Sequence, residues 1–353
     1  MIGIGGIFGI VGSEKIDVKQ IKQMLGELSK YGRQGYGVAW YSRDSCRVLK
    51  SLDLDEVTSL LSPDHGKVAI GVCRFGVYGR PAIPNTPPFY DCSKRFICVA
   101  RGAIKGYPQI RRSIARRGHV LIGKDLSEII VHSFEERVKN GVMPVDAIKR
   151  TREEFEGMFS ALILDCKNGR LYCMCRGIPE YIGREKLGVI VCSEIDPLAR
   201  LSNEVYRVVD GVVVVSGDKI NVVEGEVRRI VDWREGRVLG GYDFYMQREM
   251  NEIPAVLKFQ SFAQMDEYFE IAKRLIMQAK KVYMVGSGSS YNAVLYGAYV
   301  INELSDVSPI PQNATEFIYF MLRRVEAGDV LVANSQSGET CLLYTSPSPR
   351  DRG

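Results

Sequence analysis

The sequence predicts an α/β protein in two parts: a layered unit with largely antiparallel sheets, then a doubly wound parallel sheet. Three observations carry this. Up to about Val231, short apolar runs broken by Gly, Pro, Asn and Asp come in clusters, with amphipathic stretches between the clusters. Near residue 240 the texture changes, where Gly240-Gly241 opens a stretch rich in Met, Glu, Gln and Lys. Beyond it strand and helix patterns alternate, as they do where crossover helices join parallel strands.

In chain order, the strands expected in the first part are Gly6–Val11, Val38–Tyr41, Val68–Val72, Phe96–Val99, Ala161–Asp165, Val189–Cys192 and Val212–Val215. Each is a short apolar run bounded by turn residues, and the wholly apolar Val212–Val215 predicts a buried strand. Val18–Leu28, Asp125–Lys139 and Val145–Phe155 place apolar residues three and four apart, which makes them helices. The second part continues with helical stretches at Tyr242–Gln260 and Met265–Gln278, a strand at Lys281–Val285 and a loop at Gly286–Tyr291. A helix at Asn292–Leu304 and a strand at Asp329–Asn334 follow. The expected division is therefore 1–239 and 240–340, with a boundary near Leu239. The tail 341–353 reads as foreign to the second domain. Pro347 and Pro349 would break the helix that Ser335–Thr340 should open, so that domain is expected to be cut short.

Composition narrows the classes. The chain has 353 residues, 46% hydrophobic and 25% charged, which excludes a mainly disordered or fibrous protein. No apolar run approaches the ~20 residues of a membrane span and no basic-then-apolar leader opens the chain, so no membrane association and a cytoplasmic location are expected. Nine cysteines without a CxxC pair predict buried, reduced thiols rather than disulfides or zinc ligands. With only His65, His119 and His132 present, no metal and no cofactor are expected. A net charge of +5 is too dilute to predict nucleic acid, and Arg111-Arg112 with Arg116-Arg117 fit a solvated helix face.

Chemistry concentrates at two strand-to-loop junctions. Val285-Gly286-Ser287-Gly288-Ser289-Ser290-Tyr291 follows a strand and opens a helix; glycines admit a close ligand, and free amides at the helix start favour an anion. Tyr291 stands where a dinucleotide fingerprint needs its third glycine, and the P-loop lysine is absent. The second junction is Asn334-Ser335-Gln336-Ser337-Gly338-Glu339-Thr340, again after an apolar strand. Such loops at the carboxyl ends of neighbouring parallel strands converge on one crevice. Their neutral hydroxyl donors suit a small sugar phosphate. Either loop alone is also an ordinary capped turn.

Ser335–Thr340 reads SQSGET, and with Gly286–Tyr291 and the segment Tyr242–Pro254 it resembles the sugar isomerase (SIS) domain of the glutamine–fructose-6-phosphate aminotransferases (isomerizing), the glucosamine-6-phosphate synthases. The resemblance implies that Ser287, Ser289, Ser290, Ser335, Gln336, Ser337 and Thr340 hold the phosphate and nearby oxygens of fructose 6-phosphate. It also implies a homodimer through that domain, of which a shortened domain would lack part of the interface. The family's isomerase acid/base residues lie further on, so this chain alone is expected not to isomerise.

The first part is similar to the family's N-terminal-nucleophile (Ntn) glutaminase, a class II glutamine amidotransferase domain, which implies a four-layer αββα fold. Gly6–Gly12, Cys73–Gly76, Asn85–Pro88, Arg101-Gly102 and Gly123–Ile130 carry this likeness. Its catalytic set is eroded. The nucleophilic Cys falls on Gly5, or on Ile2 in another register; the oxyanion Asn falls on Arg101 beside Gly102; and the Asp that accepts from the substrate ammonium falls on Leu126. A Thr and a His become Val77 and Tyr78, while Arg74 keeps its place opposite the substrate carboxylate. The resemblance thus implies amino transfer to fructose 6-phosphate with isomerisation, fed by free ammonia because the chain's own glutaminase is expected to be silent. Two alternatives stand beside it: a non-catalytic sugar-phosphate-binding or regulatory homologue, and an ordinary glutamine-dependent synthase whose start is misread.

Overall fold

A computed structural model describes residues 5–42, 45–61, 66–185, 188–202, 204–230 and 267–335, with 247, 250, 251, 253–255, 257 and 258. Ile2, Leu239, Gln336, Ser337, Thr340, the tail and most of Tyr242–Gln260 lie outside the described residues. The chain divides into two compact units, Met1–Gln264 and Met265–Gly353. No helix among the described residues is long and apolar enough to cross a membrane.

In the first unit a 12-stranded antiparallel sheet runs in the order β3 (Ser45–Ser51), β2 (Tyr36–Ser42), β4 (Val68–Cys73), β1 (Gly6–Gly12), β10 (Gly188–Cys192) and β9 (Glu180–Glu185). It continues through β11 (Glu204–Ser216), β8 (Leu171–Arg176), β7 (Gly157–Asp165), β6 (Phe96–Ile104) and β5 (Phe89–Tyr90), with β12 (Lys219–Ile230) paired to β11. The sheet doubles over. Ile7, Val11, Ile70 and Val72 from one half pack with Ile97, Val99, Leu162 and Leu164 from the other, none more than 2% exposed. At Gly9 the two halves come so close that a Cβ would stand 2.6 Å from Leu171 Cδ2.

Helices cover both outer faces. On one, α1 (Val18–Leu28), α2 (Leu54–Leu60) and α6 (Asp196–Leu201) pack over Phe8 and Ile10, with Ile21, Met24, Leu25 and Leu28 supplying the apolar stripe of α1. Asp17 starts α1 by accepting the Lys19 amide at 2.9 Å. On the other, α3 (Tyr107–Arg116), α4 (Leu126–Lys139) and α5 (Pro144–Glu154) cover β6 and β7 through Ile129, Ile130, Phe134 and Ile148. The result is four layers, helix–sheet–sheet–helix. Strands buried on both faces explain why the runs read as nearly unbroken apolar stretches.

One expectation is corrected. Cys46 on β3 and Cys166 just after β7 form a disulfide, with Cα atoms 5.5 Å apart and 120 residues between them in sequence. Scattered spacing carries no information about partners that only folding brings together. Of the free cysteines, Cys73, Cys98, Cys173, Cys175 and Cys192 are buried as expected, whereas Cys92 is exposed.

The second unit holds α7 (Glu267–Gln278), β13 (Val282–Gly286), α8 (Ser289–Leu304), β14 (Ile310–Asn313), the short α9 (Ala314–Glu316) with a π turn at Phe317–Met321, and β15 (Val330–Asn334). Its parallel sheet runs β14-β13-β15. Val282 and Met284 face Val294 and Ala298 of α8, while Tyr283 and Val285 face Ala314 and Phe317, so β13 is covered on both sides. Strand β14 was not expected, because Ile-Pro-Gln-Asn lacks an apolar run and its Pro cannot donate to a ladder.

The doubled sheet makes a stability prediction. Leu162→Ala, between the halves, should cost about 2–5 kcal/mol in urea unfolding. Met143→Ala, at a position 69% exposed, should change stability by less than about 0.5 kcal/mol.

Candidate functional site

Gly5, expected at the nucleophile position, lies just before β1, and Ile2, its alternative, lies outside the described residues. Gly5 has φ +76°, and a Cβ on it would stand 2.9 Å from both the Cys73 carbonyl oxygen and the Phe75 nitrogen. The backbone there has no room for a side chain of any kind. Above it sits Arg101, from the middle of β6, its side chain 5% exposed. Its Nη1 donates to the Gly5 carbonyl at 3.5 Å and to Glu194 Oε1 at 2.5 Å. Nη2 donates to the Ser193 carbonyl at 2.9 Å and the Pro179 carbonyl at 3.3 Å, and Nε to Ser160 Oγ at 3.3 Å. These contacts engage the full fork of a guanidinium, so Arg101 is a structural tie and offers no donor to an oxyanion. Gly102, next to it, has φ +111°, and a Cβ would stand 2.2 Å from the Met158 carbonyl oxygen. Glycine is required there by the strand pairing alone.

Glu180, at the start of β9, completes this cluster. It is 2% exposed, and neither carboxylate oxygen has a well-formed hydrogen bond. Burial raises its carboxyl to about 7, against the opposing pull of the Arg101 charge and the Ser160 hydroxyl. It borders a small internal void of about 10 Å³, room for about one water, shared with Cys173, Cys175 and Val213.

Arg74, at 2% exposure, is likewise held by the protein. Its Nε pairs with Asp125 Oδ2 at 3.3 Å, and Nη2 donates to the Tyr78 and Gly79 carbonyls at 2.5 and 3.1 Å. Nη1 is buried and has no hydrogen-bond partner. Leu126, where the aspartate was expected, points into the core under α4. The carboxylate beside Arg74 comes from the preceding residue, Asp125, which also caps α4 by accepting from the Ser127 amide at 2.9 Å and hydroxyl at 2.7 Å. Sequence reasoning passed over it, although Asp-Leu-Ser before an apolar periodic stretch is a helix-start signature. Tyr78 stacks on Tyr107 with ring centroids 3.7 Å apart, and its hydroxyl donates to the Ile104 carbonyl and accepts from the Ile104 amide. Lys50 lies over the Phe89 ring at 4.2 Å; burial lowers its ammonium to about 8 against the pull of Asp125 and Glu128.

Among the described residues, the thiol nearest this cluster in sequence is not an activated one. Cys73, beside Arg74, donates its Sγ hydrogen to the Leu25 carbonyl at 3.3 Å, and burial pushes its thiol far above the ordinary range.

In the second unit, Gly286 at the tip of β13 lies in register with Asn334 at the tip of β15. The helix begins earlier than expected: only Ser287 and Gly288 form the loop, while Ser289 and Ser290 stand in the first turn of α8. A Cβ on Gly286 would meet the Ser290 carbonyl oxygen at 2.6 Å, so this glycine lets the helix start fold back against its strand. Asn334 Nδ2 donates to the Ser290 carbonyl at 3.5 Å. The two strand tips, with Ser287, Ser289, Ser290 and Ser335, are therefore neighbours; Gln336, Ser337 and Thr340 fall outside the described residues.

The comparisons with known proteins agree with this layout. A glutamine amidotransferase domain family matches residues 84–200, and the SIS domain family matches residues 275–344. The glutamine–fructose-6-phosphate aminotransferase (isomerizing) of Pyrobaculum aerophilum is 28% identical over 99% of this chain and 60% of its own length. That of Thermotoga maritima is 29% identical over 95% of this chain and 58% of its own length. The chain thus spans about three-fifths of these relatives. Among solved structures, a glutamine phosphoribosylpyrophosphate amidotransferase from B. subtilis aligns with TM-score 0.54 and 14% identity over 96% of this chain and 92% of that one. A second, described as the allosteric regulatory enzyme of purine biosynthesis, aligns with TM-score 0.53 and 18% identity over 64% of this chain and 49% of that one. Both show a shared fold.

The buried carboxylate predicts a pH dependence with a definite sign. Unfolded Glu180 ionises near the ordinary carboxyl value, whereas folded Glu180 holds its proton to about 7. Its contribution therefore falls as pH rises from about 4.5 to 7, by about 3 kcal/mol. Glu180→Gln should remove that slope and raise the melting temperature above pH 7. Arg101→Met should instead destabilise by about 3–5 kcal/mol, because it leaves Glu194 without its cation.

Proposed function

We infer that this chain, a homologue of the glutamine–fructose-6-phosphate aminotransferases with a glutamine amidotransferase domain followed by an SIS domain, binds a phosphorylated ketose such as fructose 6-phosphate in its second unit and hydrolyses no glutamine in its first. The observation that carries the second half is the seat of Arg101 on the Gly5 carbonyl. Amide hydrolysis by this kind of domain needs a nucleophile at the chain start and free donors for the oxyanion that its attack creates. Gly5 has no space for the first, and Arg101 commits its N–H groups to Glu194, Ser160 and backbone carbonyls. Any amino transfer then draws on free ammonia.

The sugar-phosphate half rests on the paired strand tips. Ser287, Ser289, Ser290 and Ser335 offer hydroxyls around the start of α8, where backbone amides favour an anion. Gln336, Ser337 and Thr340 extend the set through the SQSGET segment. For the three-fifths of the relatives' length that this chain spans, the role proposed is binding of the sugar phosphate. A second reading, a non-catalytic sugar-phosphate-binding or regulatory homologue, is favoured by the same Arg101 seat.

The purified chain given glutamine should release no glutamate above the buffer blank, and measurable release would remove the proposal for the first unit. In calorimetric titration, fructose 6-phosphate should bind at one site. Ser289→Ala and Ser337→Ala should each weaken it about ten- to hundredfold, the size of a lost charged hydrogen bond. Unchanged affinity in both variants would end the crevice assignment. Turnover with ammonia favours the aminotransferase; binding without turnover favours the regulatory reading.

A further inference from the structure

Four side chains that the proposed function does not use converge on one point of the first unit. Cys92 sits in the turn between β5 and β6, His119 in the loop after α3, and His132 with Glu135 one helical turn apart on α4. One ligand atom from each lies within 4.8 Å of all the others. Cys92 Sγ is 3.6 Å from His119 Nδ1 and 3.6 Å from His132 Nδ1. Glu135 Oε2 is 3.3 Å from His119 Nδ1 and 3.1 Å from His132 Nδ1. Tetrahedral zinc, with bonds of about 2.0–2.3 Å, holds N, O and S ligand atoms about 3.3–3.6 Å apart. The four edges given, 3.1–3.6 Å, match those of a coordination tetrahedron, and the other two are within 4.8 Å.

We propose that Cys92, His119, His132 and Glu135 form a zinc site that ties the β5–β6 turn and the α3–α4 loop to α4. A Cys–His–Glu catalytic relay is the competing reading of the same residues. It requires the thiol on one ring nitrogen and the carboxylate on the other, whereas here a single Nδ1 of each histidine faces both. Convergence on one nitrogen per ring is what a central ion demands. The mixed S, N, N, O donor set favours zinc over magnesium or calcium, which take oxygen ligands. An outer partner is in place too: Lys139 Nζ pairs with Glu135 Oε1 at 2.5 Å, which fixes the carboxylate and leaves Oε2 turned to the cluster. The Cys92 amide donates to Oε2 at 3.0 Å and positions the turn. Entry is open through a surface hollow of about 280 Å³ bordered by Cys92, Gly118, His119, Lys139 and Asn140.

The proposal departs from the expectation drawn from three histidines. Two of them, 13 positions apart, are brought together by the α3–α4 connection, and the other ligands come from a turn and a helix face. No metal-binding spacing in the sequence announces that meeting.

The test uses the whole chain, stripped with a chelator and kept reduced by a phosphine. Titration with zinc against a chromophoric chelator should give one equivalent per chain. Cobalt should give the visible bands of a tetrahedral ion together with a thiolate-to-cobalt charge-transfer band. Cys92→Ser should abolish that band and weaken zinc at least about tenfold. His119→Gln, which keeps a polar side chain in the loop after α3, should weaken zinc by a similar factor while circular dichroism and thermal unfolding show that the chain stays folded. Absence of stoichiometric zinc, a cobalt spectrum without the thiolate band, or unchanged affinity in both variants would each overturn the proposal, the last by placing the ion elsewhere.

Discussion

A guanidinium buried at the edge of a β-sandwich imposes terms on everything around it, because removing an ion from water costs several kcal/mol unless its donors find partners. Arg101 meets those terms by reaching from β6 to the Ser160 hydroxyl on β7, the carbonyl before β9, the carbonyl and carboxylate after β10, and the carbonyl before β1. One side chain thus fastens several strands at a single end of the doubled sheet. Gly5, with its left-handed backbone, and Glu180, whose carboxyl burial raises against the pull of Arg101, both lie beside that arrangement.

The same logic recurs a few ångströms of chain away. Arg74 is held by the Asp125 carboxylate and two carbonyls, and Tyr78 closes a hydrogen-bonded pair with the Ile104 backbone while stacking on Tyr107. Arg74 and Tyr78, like Arg101, serve as ties between secondary-structure elements. Nη1 of Arg74 is the exception, a buried donor left without a hydrogen-bond partner. In the second unit the balance is reversed: the strand tips carry small residues and hydroxyls, and the structural demand is met by one glycine, Gly286.

Legibility followed the range of the interactions involved. Helix α1 was readable to the residue, since its apolar spacing and its Asp17 cap are local. The middles of β1, β4, β6, β7, β10 and β11 were legible too, because burial on both faces writes itself as apolar runs, although β8 and β9 were not read as strands. Strand β14 was not legible: it is stabilised by pairing with β13 and carries no pattern of its own. The Cys46–Cys166 pairing, the Asp125 partner of Arg74 and the gathering of Cys92, His119, His132 and Glu135 were hidden for a shared reason. Each depends on which side chains meet after the sheet has doubled over. Gly5 and Arg101 could be singled out from the letters, whereas what holds Arg101 became physical only once its five partners were in view.

The closed backbone at Gly5 couples two stretches that lie far apart in sequence. A Cβ there would collide with the Cys73 carbonyl and the Phe75 amide, so no substitution at that position leaves the start of β1 undisturbed. Arg101, which holds the Gly5 carbonyl and Glu194, ties the same point to the far half of the sheet. A change at either end is thus felt at both, and the two positions can be altered only in concert.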